Sequence, residues 1–497
     1  MRALLDTNIV IDRENNTILD KKCQDLFRIA QDNKINLLIH PLTIKEIEKD
    51  TNQERRKISL SKISSYSQLE SPKILSDISQ FPELGSLKGK DKIDDNLLYC
   101  IKRNAVNLLI TEDKGLLSKA SRIGIDDKVM NIIEANRYFN NLFYSYVATP
   151  IHLQEVPLST LNFDDTFFDS LKSSYPEFKD WWEKISKEGR KGFVHQLSDG
   201  TIASLLVIKE ENEPIDDSTP AIKKAKRLKI CTLKVNDTGK KIGELFLRIA
   251  IDYAVEKNIP EIYLTHFIED NDRLVSLIKS IGFIEKSKKA STGEPIFIKY
   301  LELTKEFSTR KDISRYLFPT YYDGPEVNKY IVPIKPEYHD RLFVGKHDRQ
   351  LALAEYSNSI VEQNTVKKAY ICNSRITGLQ EGDIILFYCS DTLKALTSIG
   401  VIQEVYTNQD EATEIANKVG KRTVYSLSEL EELARKKALV LLFRHHFYFN
   451  KPMDLKLLRD SSLLKAAPQS IMKIDHQKYL EIKNKAQIYE RFTVDKT

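Results

Sequence analysis

Four carboxylates stand out in the first 113 residues because of where the sequence puts them. Asp6 closes the apolar run of Leu-Leu-Asp-Thr-Asn, and Asp113 follows the apolar run Asn107–Ile110 in Leu-Ile-Thr-Glu-Asp. Glu46 lies five residues after Pro41, on a helix that starts behind Ile39-His40-Pro41, and Asp95 opens an amphipathic helix carrying Leu97, Leu98 and Ile101. Like charges brought close together repel and raise one another's pKa, so such a cluster calls for a cation. Mg²⁺ or Mn²⁺ suits an all-oxygen donor set. A metal so held lowers the pKa of a bound water, aligns it with a phosphodiester and stabilises the leaving oxygen. The chemistry expected of these residues is therefore hydrolysis of a nucleic-acid backbone. Asp94 is an alternative to Asp95, and Glu48 or Glu112 an additional ligand; the plain alternative is that all of these acids cap helices.

The elements that must position them follow from hydrophobic periodicity. Between Met1 and Phe143, short apolar runs at Ala3–Leu5, Ile35–Ile39 and Val106–Ile110 alternate with amphipathic helices, one of which carries Cys23, Leu26, Phe27 and Ala30 on a single face. This predicts an α/β domain with a largely parallel sheet, in which ligands gather at the carboxyl ends of the strands. The stretches Leu5-Asp6-Thr7-Asn8, Leu42–Ile47, Asp94–Leu98 and Ile110–Asp113 together resemble the PIN domain family. That resemblance implies that Asp6, Glu46, Asp95 and Asp113 hold one or two divalent ions and cut RNA, with Thr7 and Asn8 supporting the first acid.

A second domain is expected at 155–305. Strands at Gly192–Leu197 and Ile202–Ile208 flank the turn Ser198-Asp199-Gly200, and a strand over Leu228–Val235 leads through Asn236–Glu244 into a helix with Ile242, Leu245, Phe246, Ile249 and Tyr253 on one face. A turn of this kind presents free N–H groups and a partial positive charge that suit a pyrophosphate, and Lys240 and Lys241 add to it. With the following strand (Glu261–His266) and the helix from Asn271-Asp272-Arg273-Leu274 to Ile281-Gly282-Phe283, the segment resembles the GNAT acetyltransferase family. The resemblance implies a mixed-sheet fold binding acetyl-CoA through Leu233, Val235, Thr238, Gly239, Lys240, Lys241, Gly243 and Asn271. Ile278 stands where that family commonly has a general-acid tyrosine.

A third domain is expected at 323–490. Strand-like runs at Tyr330–Ile334, Lys368–Cys372, Asp383–Tyr388, Leu396–Tyr406 and Leu439–Tyr448 predict a small β-barrel. Val332-Pro333-Ile334-Lys335-Pro336, Glu381–Tyr388 and Ser398–Ile402 resemble the ASCH and PUA-like families, which implies RNA binding. Lys335, Lys346 and Arg349 are the candidate phosphate contacts, with Tyr388 a possible stacking residue that is more simply core. His445 and His446 are neighbours on a strand and face opposite ways, so they do not jointly clamp a metal.

The whole chain fits this division. At 497 residues it has room for about three domains. With 41% hydrophobic and 30% charged residues it has the composition of an ordinary globular protein, and a net charge of +5 permits nucleic-acid binding without requiring it. No apolar stretch approaches a membrane span, and an acid at position 6 interrupts any signal-like start, so a cytoplasmic protein is expected. The scattered Cys23, Cys100, Cys231, Cys372 and Cys389 predict buried free thiols. The stretch Thr149–Leu158 reads as a linker, and Glu210–Asp217 with Lys223–Arg227 as a solvated charged loop. The expected fold class is α/β and α+β multidomain. The expected function is a metal-dependent ribonuclease with an acyl-CoA-binding domain and an RNA-reading domain, the RNA being a tRNA or ribosomal RNA. A toxin or defence effector with an antitoxin protein suits that company of domains. The alternative is an N-acetyltransferase acting on an RNA-associated or protein amine, with the first domain delivering RNA.

Overall fold

The computed structural model describes the chain except residues 15–19, 50, 64–65, 85–91, 145–149, 152, 198, 237–240, 270–271, 305–306, 308, 344–358, 361–362, 364, 489 and 496–497. It is a mixed α/β multidomain chain with several sheets. Two compact units are formed: Met1–Val147 with Glu269–Ser276 and Asn408–Ala438, and Ala148–Ile268 with Leu277–Thr407 and Leu439–Thr497. Among the described residues no helix is long and apolar enough to cross a membrane.

In the first unit, β1 (Arg2–Leu5), β2 (Asn36–Ile39), β3 (Ser67–Gln68), β4 (Leu108–Ile110) and β5 (Val129–Met130) form a sheet in the order β3-β2-β1-β4-β5. Every pairing in it is parallel. The central strands are apolar throughout because helices cover both faces of such a sheet. Ala3, Leu4, Leu5, Leu108, Leu109 and Ile110 are buried, and Leu97, Leu98 and Ile101 of the helix Lys92–Lys102 share a core with Leu4 and Leu109. The segment from Asn408 to Ala438 also belongs to this unit. Arg422 forms an ion pair with Asp127, and Lys421 donates to Val129 O and to Glu134.

The second unit carries two larger sheets. The first contains β7 (Leu153–Pro157), β8 (Lys191–Gln196), β9 (Ile202–Glu211), β10 (Arg227–Val235), β11 (Glu261–Thr265), β12 (Ile284–Lys288) and β13 (Pro295–Tyr300), ordered β12-β13-β11-β10-β9-β8-β7. Of the stretch Thr149–Leu158, Thr149 and His152 lie outside the described residues, and the rest is not a simple linker. Leu153–Pro157 pairs antiparallel with β8, while β6 (Pro150–Ile151) pairs with the short strand Ser359–Ile360, because their backbone groups find sheet partners. Most charged residues of the stretch Glu210–Asp217 and Lys223–Arg227 are exposed as expected, and the exception is Arg227, which is buried, 2.6 Å from Glu261 and bonded to the carbonyls of Glu213 and Lys223.

The other large sheet comprises Lys329–Ile334, Lys367–Cys372, Ile384–Cys389, Ala395–Gln409, Ala438–Asp454 and Met472–Ile474. Lys329–Ile334 and Ile384–Cys389 run parallel, and Met472–Ile474 forms one edge. Among the described residues the two edge strands do not pair, so the barrel expected here is an open one. Phe387, Phe343 and Phe443 pack ring to ring inside it. Tyr388 is fully buried and belongs to the core rather than to a stacking surface.

Candidate functional site

The first candidate is the carboxyl rim of the five-stranded sheet. Register places Asp6 just past β1 and His40 just past β2, with Thr111 just past β4. Asp6 is nearly buried, and its oxygens accept from Thr7 N at 2.6 Å and Thr111 Oγ1 at 2.5 Å. Thr7 Oγ1 in turn donates to Glu46 Oε2 at 2.8 Å, and Asp113 N donates to Thr111 Oγ1 at 2.9 Å. Two threonines thus link the three acids Asp6, Glu46 and Asp113. Burial raises the Asp6 pKa to about 6, against the lowering effect of the Thr111 and Thr7 hydrogen bonds; the charges of Asp113 and Glu46 add to the rise.

Asp95 is placed differently. Its carboxylate is buried and sits 3.0 Å from the Lys119 ammonium. A lysine already supplies the positive charge that the sequence assigned to a metal. Glu112 turns to accept from Ile132 N at 2.8 Å, and Glu48 ends the helix Pro41–Ile47. Asp113 also caps the helix Lys114–Arg122 through Leu116 N. Among the described residues no group of three or more His, Cys, Asp or Glu side chains is gathered so as to hold a metal ion. The donor chemistry suits Mg²⁺ or Mn²⁺, but among the described residues the arrangement is not a preformed cradle.

Sequence reasoning missed Lys119, which lies 24 residues from its partner and carries no local signal. It also missed His40. The ring caps the helix Pro41–Ile47 by accepting from Leu42 N at Nδ1, so the proton of the neutral ring is on Nε2. Burial lowers its pKa to about 4.

The second candidate lies between β10 and β11. These parallel strands pair only over Arg227–Lys229 and Glu261–Tyr263, and from there β10 continues to Val235 paired with β9 alone. An irregularity between Ile230 and Thr232 turns β10 at the point of parting. A parallel pair that opens in this way leaves backbone donors and acceptors facing a wedge, where an extended amide-bearing ligand finds partners. Leu233 and Val235, both half-buried, border it.

At its head is the helix Ile242–Glu256, preceded by Lys241 in a left-handed conformation with φ 51°. Gly243 lets that helix pack closely, since a β-carbon there would lie 3.0 Å from Leu277 Cδ2. Thr238, Gly239, Lys240 and Asn271 lie outside the described residues. Ile278 is fully buried, as its place on the apolar face of Leu274, Leu277 and Ile281 predicts. Past the end of β11, Tyr175 donates to Glu294 at 3.0 Å and its ring lies 6.1 Å from that of Phe267.

In the third segment Lys335 precedes the helix Pro336–Leu342 and is 3.9 Å from Glu337, whereas Lys346 and Arg349 lie outside the described residues. His445 and His446 are both buried. Of the five cysteines, all free, Cys23, Cys100 and Cys389 are buried and Cys231 and Cys372 half-buried.

No family model matches the chain, and no curated protein is significantly similar to it in sequence. Solved structures similar to parts of it include ASCH from Zymomonas mobilis, at 14% identity over 31% of this chain and 94% of that one, with a TM-score of 0.24. A GNAT-family acetyltransferase from Listeria monocytogenes is 19% identical over 31% of this chain and 98% of that one, TM-score 0.24. The PaiA N-acetyltransferase from Thermoplasma acidophilum, solved with coenzyme A, is 17% identical over 31% and 99%, TM-score 0.23. These three likenesses are to ASCH and acetyltransferase folds, and none of them is to a PIN domain.

Proposed function

We propose that the chain is an acyl-CoA-dependent N-acetyltransferase that modifies an RNA-associated or protein amine. The observation that carries this reading is the parting of β10 from β11 after Lys229, on the strand that leads to the helix Ile242–Glu256. The wedge takes the amide-bearing arm of the thioester, and the helix start with Lys241 takes its phosphates. In the reaction the amine nitrogen attacks the thioester carbonyl carbon, the C–S bond breaks, and the nitrogen proton is lost while the thiolate departs and is protonated. Ile278 supplies no proton, so protonation of the thiolate falls to solvent or to the acceptor itself. The first domain and the open barrel bring RNA to the chain in this reading.

The test is binding of acetyl-CoA by the full chain, followed by transfer of labelled acetyl groups to RNA-bound and peptide amines. Lys241→Glu, which reverses the charge at the helix start, is expected to weaken acetyl-CoA binding about tenfold, or 1.4 kcal/mol. Unchanged affinity in that variant, or no binding by the wild type, rejects the proposal.

A second reading, a Mg²⁺- or Mn²⁺-dependent ribonuclease, is favoured by one observation: Thr7 and Thr111 join Asp6 to Glu46 and Asp113 past the carboxyl ends of β1 and β4. Titration with Mn²⁺ and incubation with total RNA separate the two readings. Cleavage that is lost in Asp6→Asn supports the nuclease, and absence of Mn²⁺ binding removes it.

A further inference from the structure

The helix Ile242–Glu256 is buried nearly all round. An apolar helix of this kind is covered on more than one side, and here one side belongs to β10 and β11. A second side carries Glu244, Arg248 and Asp252, spaced i, i+4, i+8 and so aligned in one stripe. Glu244 Oε1 accepts from Val366 N at 2.7 Å, next to the barrel strand Lys367–Cys372. The Arg248 guanidinium donates to the carbonyls of His445 at 3.1 Å and His446 at 3.0 Å, on the barrel strand Ala438–Asp454. Asp252 lies 2.9 Å from Arg248 and accepts from its Nε. Around this contact His446 donates from Nδ1 to Pro319 O at 2.7 Å and lies edge-on to Phe318 and Tyr321. Lys299, from β13, is buried here too and donates to Ile281 O and Tyr316 O.

We infer that this helix is a mechanical link between the acyl-CoA wedge and the barrel, with Glu244 and Arg248 as its positioning residues. The inference rests on the acyl-CoA reading above. Its physical basis is that Glu244 sits in the first turn of the helix, the turn on which a phosphate ligand is seated, while it also fixes the backbone of Val366. Restraining that turn at one end reduces the freedom left to the other, so a ligand at the wedge slows local opening of the two barrel strands. Linkage makes the effect reciprocal: whatever binds the barrel and stiffens those strands tightens acyl-CoA binding by the same factor.

Hydrogen exchange on the full chain, with and without coenzyme A, tests this. In the wild type, coenzyme A is expected to slow exchange in Ile242–Glu256 and also, by about fivefold or more, at Val366–Cys372 and Arg444–Phe447. In Arg248→Met and Glu244→Ala the first effect persists and the second is lost, and Glu244→Gln, which keeps an acceptor oxygen, restores the response at Val366–Cys372. Slowing confined to the helix in the wild type, or retention of the barrel response in both Arg248→Met and Glu244→Ala, overturns the link while leaving the acyl-CoA reading intact. No slowing in the helix at all overturns that reading and the link with it. If Arg248→Met does not fold, the Glu244 pair decides the matter alone.

Discussion

Asp6 costs the fold stability whenever it is ionised. Its folded pKa of about 6 lies above its ordinary value of 3.8, so between those pH values the folded state keeps a proton that the unfolded chain has released. Stability from this group therefore falls as pH rises from about 4 to about 6, by roughly 3 kcal/mol in all. His40 acts oppositely in the same unit. Its folded pKa of about 4 lies below 6.5, and its contribution is lost as pH falls through that window. Wild type minus Asp6→Asn isolates the first effect, and urea unfolding at pH 4 and pH 7 is expected to show the difference shrink by that amount. Equal differences at the two pH values would mean that Asp6 is solvated. Asp6 and Asp113 are legible in the sequence because a polar residue ending an apolar run marks the carboxyl end of a strand. The Lys119 partner of Asp95 is not, because only packing of one helix on another brings residues 24 apart within 3.0 Å.

At the scale of elements, strands and helices follow from periodicity closely: the run Leu228–Val235 is β10 to within one residue, and the helix expected from Ile242, Leu245, Phe246, Ile249 and Tyr253 is Ile242–Glu256. What periodicity does not carry is pairing. Nothing in β10 or β11 alone shows that they part after three residues. Gly282 is a case where sequence and structure agree on a residue but only the structure supplies the reason. Its φ is +100°, and a β-carbon would overlap Tyr316 O and lie 2.8 Å from Tyr316 Cα. Gly282→Ala is expected to cost about 3 kcal/mol or more, read from the urea midpoint of the full chain. Asn408–Ala438 makes a comparable test in the first unit. Arg422→Met leaves Asp127 without its guanidinium partner and is expected to cost about 3 kcal/mol. A loss below about 0.5 kcal/mol would show that the pair is solvated like an ordinary surface ion pair.

At the scale of the whole molecule, the chain order of its parts is not the order of its compact units. Glu269–Ser276 and Asn408–Ala438 join residues 1–147, although each is surrounded in sequence by residues of the other unit. Glu244, Arg248 and Asp252 form a polar row on a mostly apolar helix, a row that the sequence reading did not single out. Its meaning required knowing that a barrel strand lies against it. Acid is expected to act on this region through His446, whose pKa burial lowers to about 3. Because this lies below 6.5, stability from His446 is lost as pH falls from about 6.5, by about 1.4 kcal/mol per pH unit. Comparison of wild type with His446→Gln at pH 7 and pH 5 checks this. A pH dependence that persists in full in the variant would assign the acid sensitivity elsewhere.

The sequence alone determined the types and boundaries of most elements, the placing of Asp6 and Asp113 at strand ends and the apolar character of Ile278, because each is set by side-chain pattern over a few neighbouring residues. The tertiary structure decided which carboxylate meets a lysine, where two parallel strands separate, and which helix grips which sheet. Those are contacts between residues far apart in the chain, and their energies depend on burial and mutual geometry that no local pattern contains.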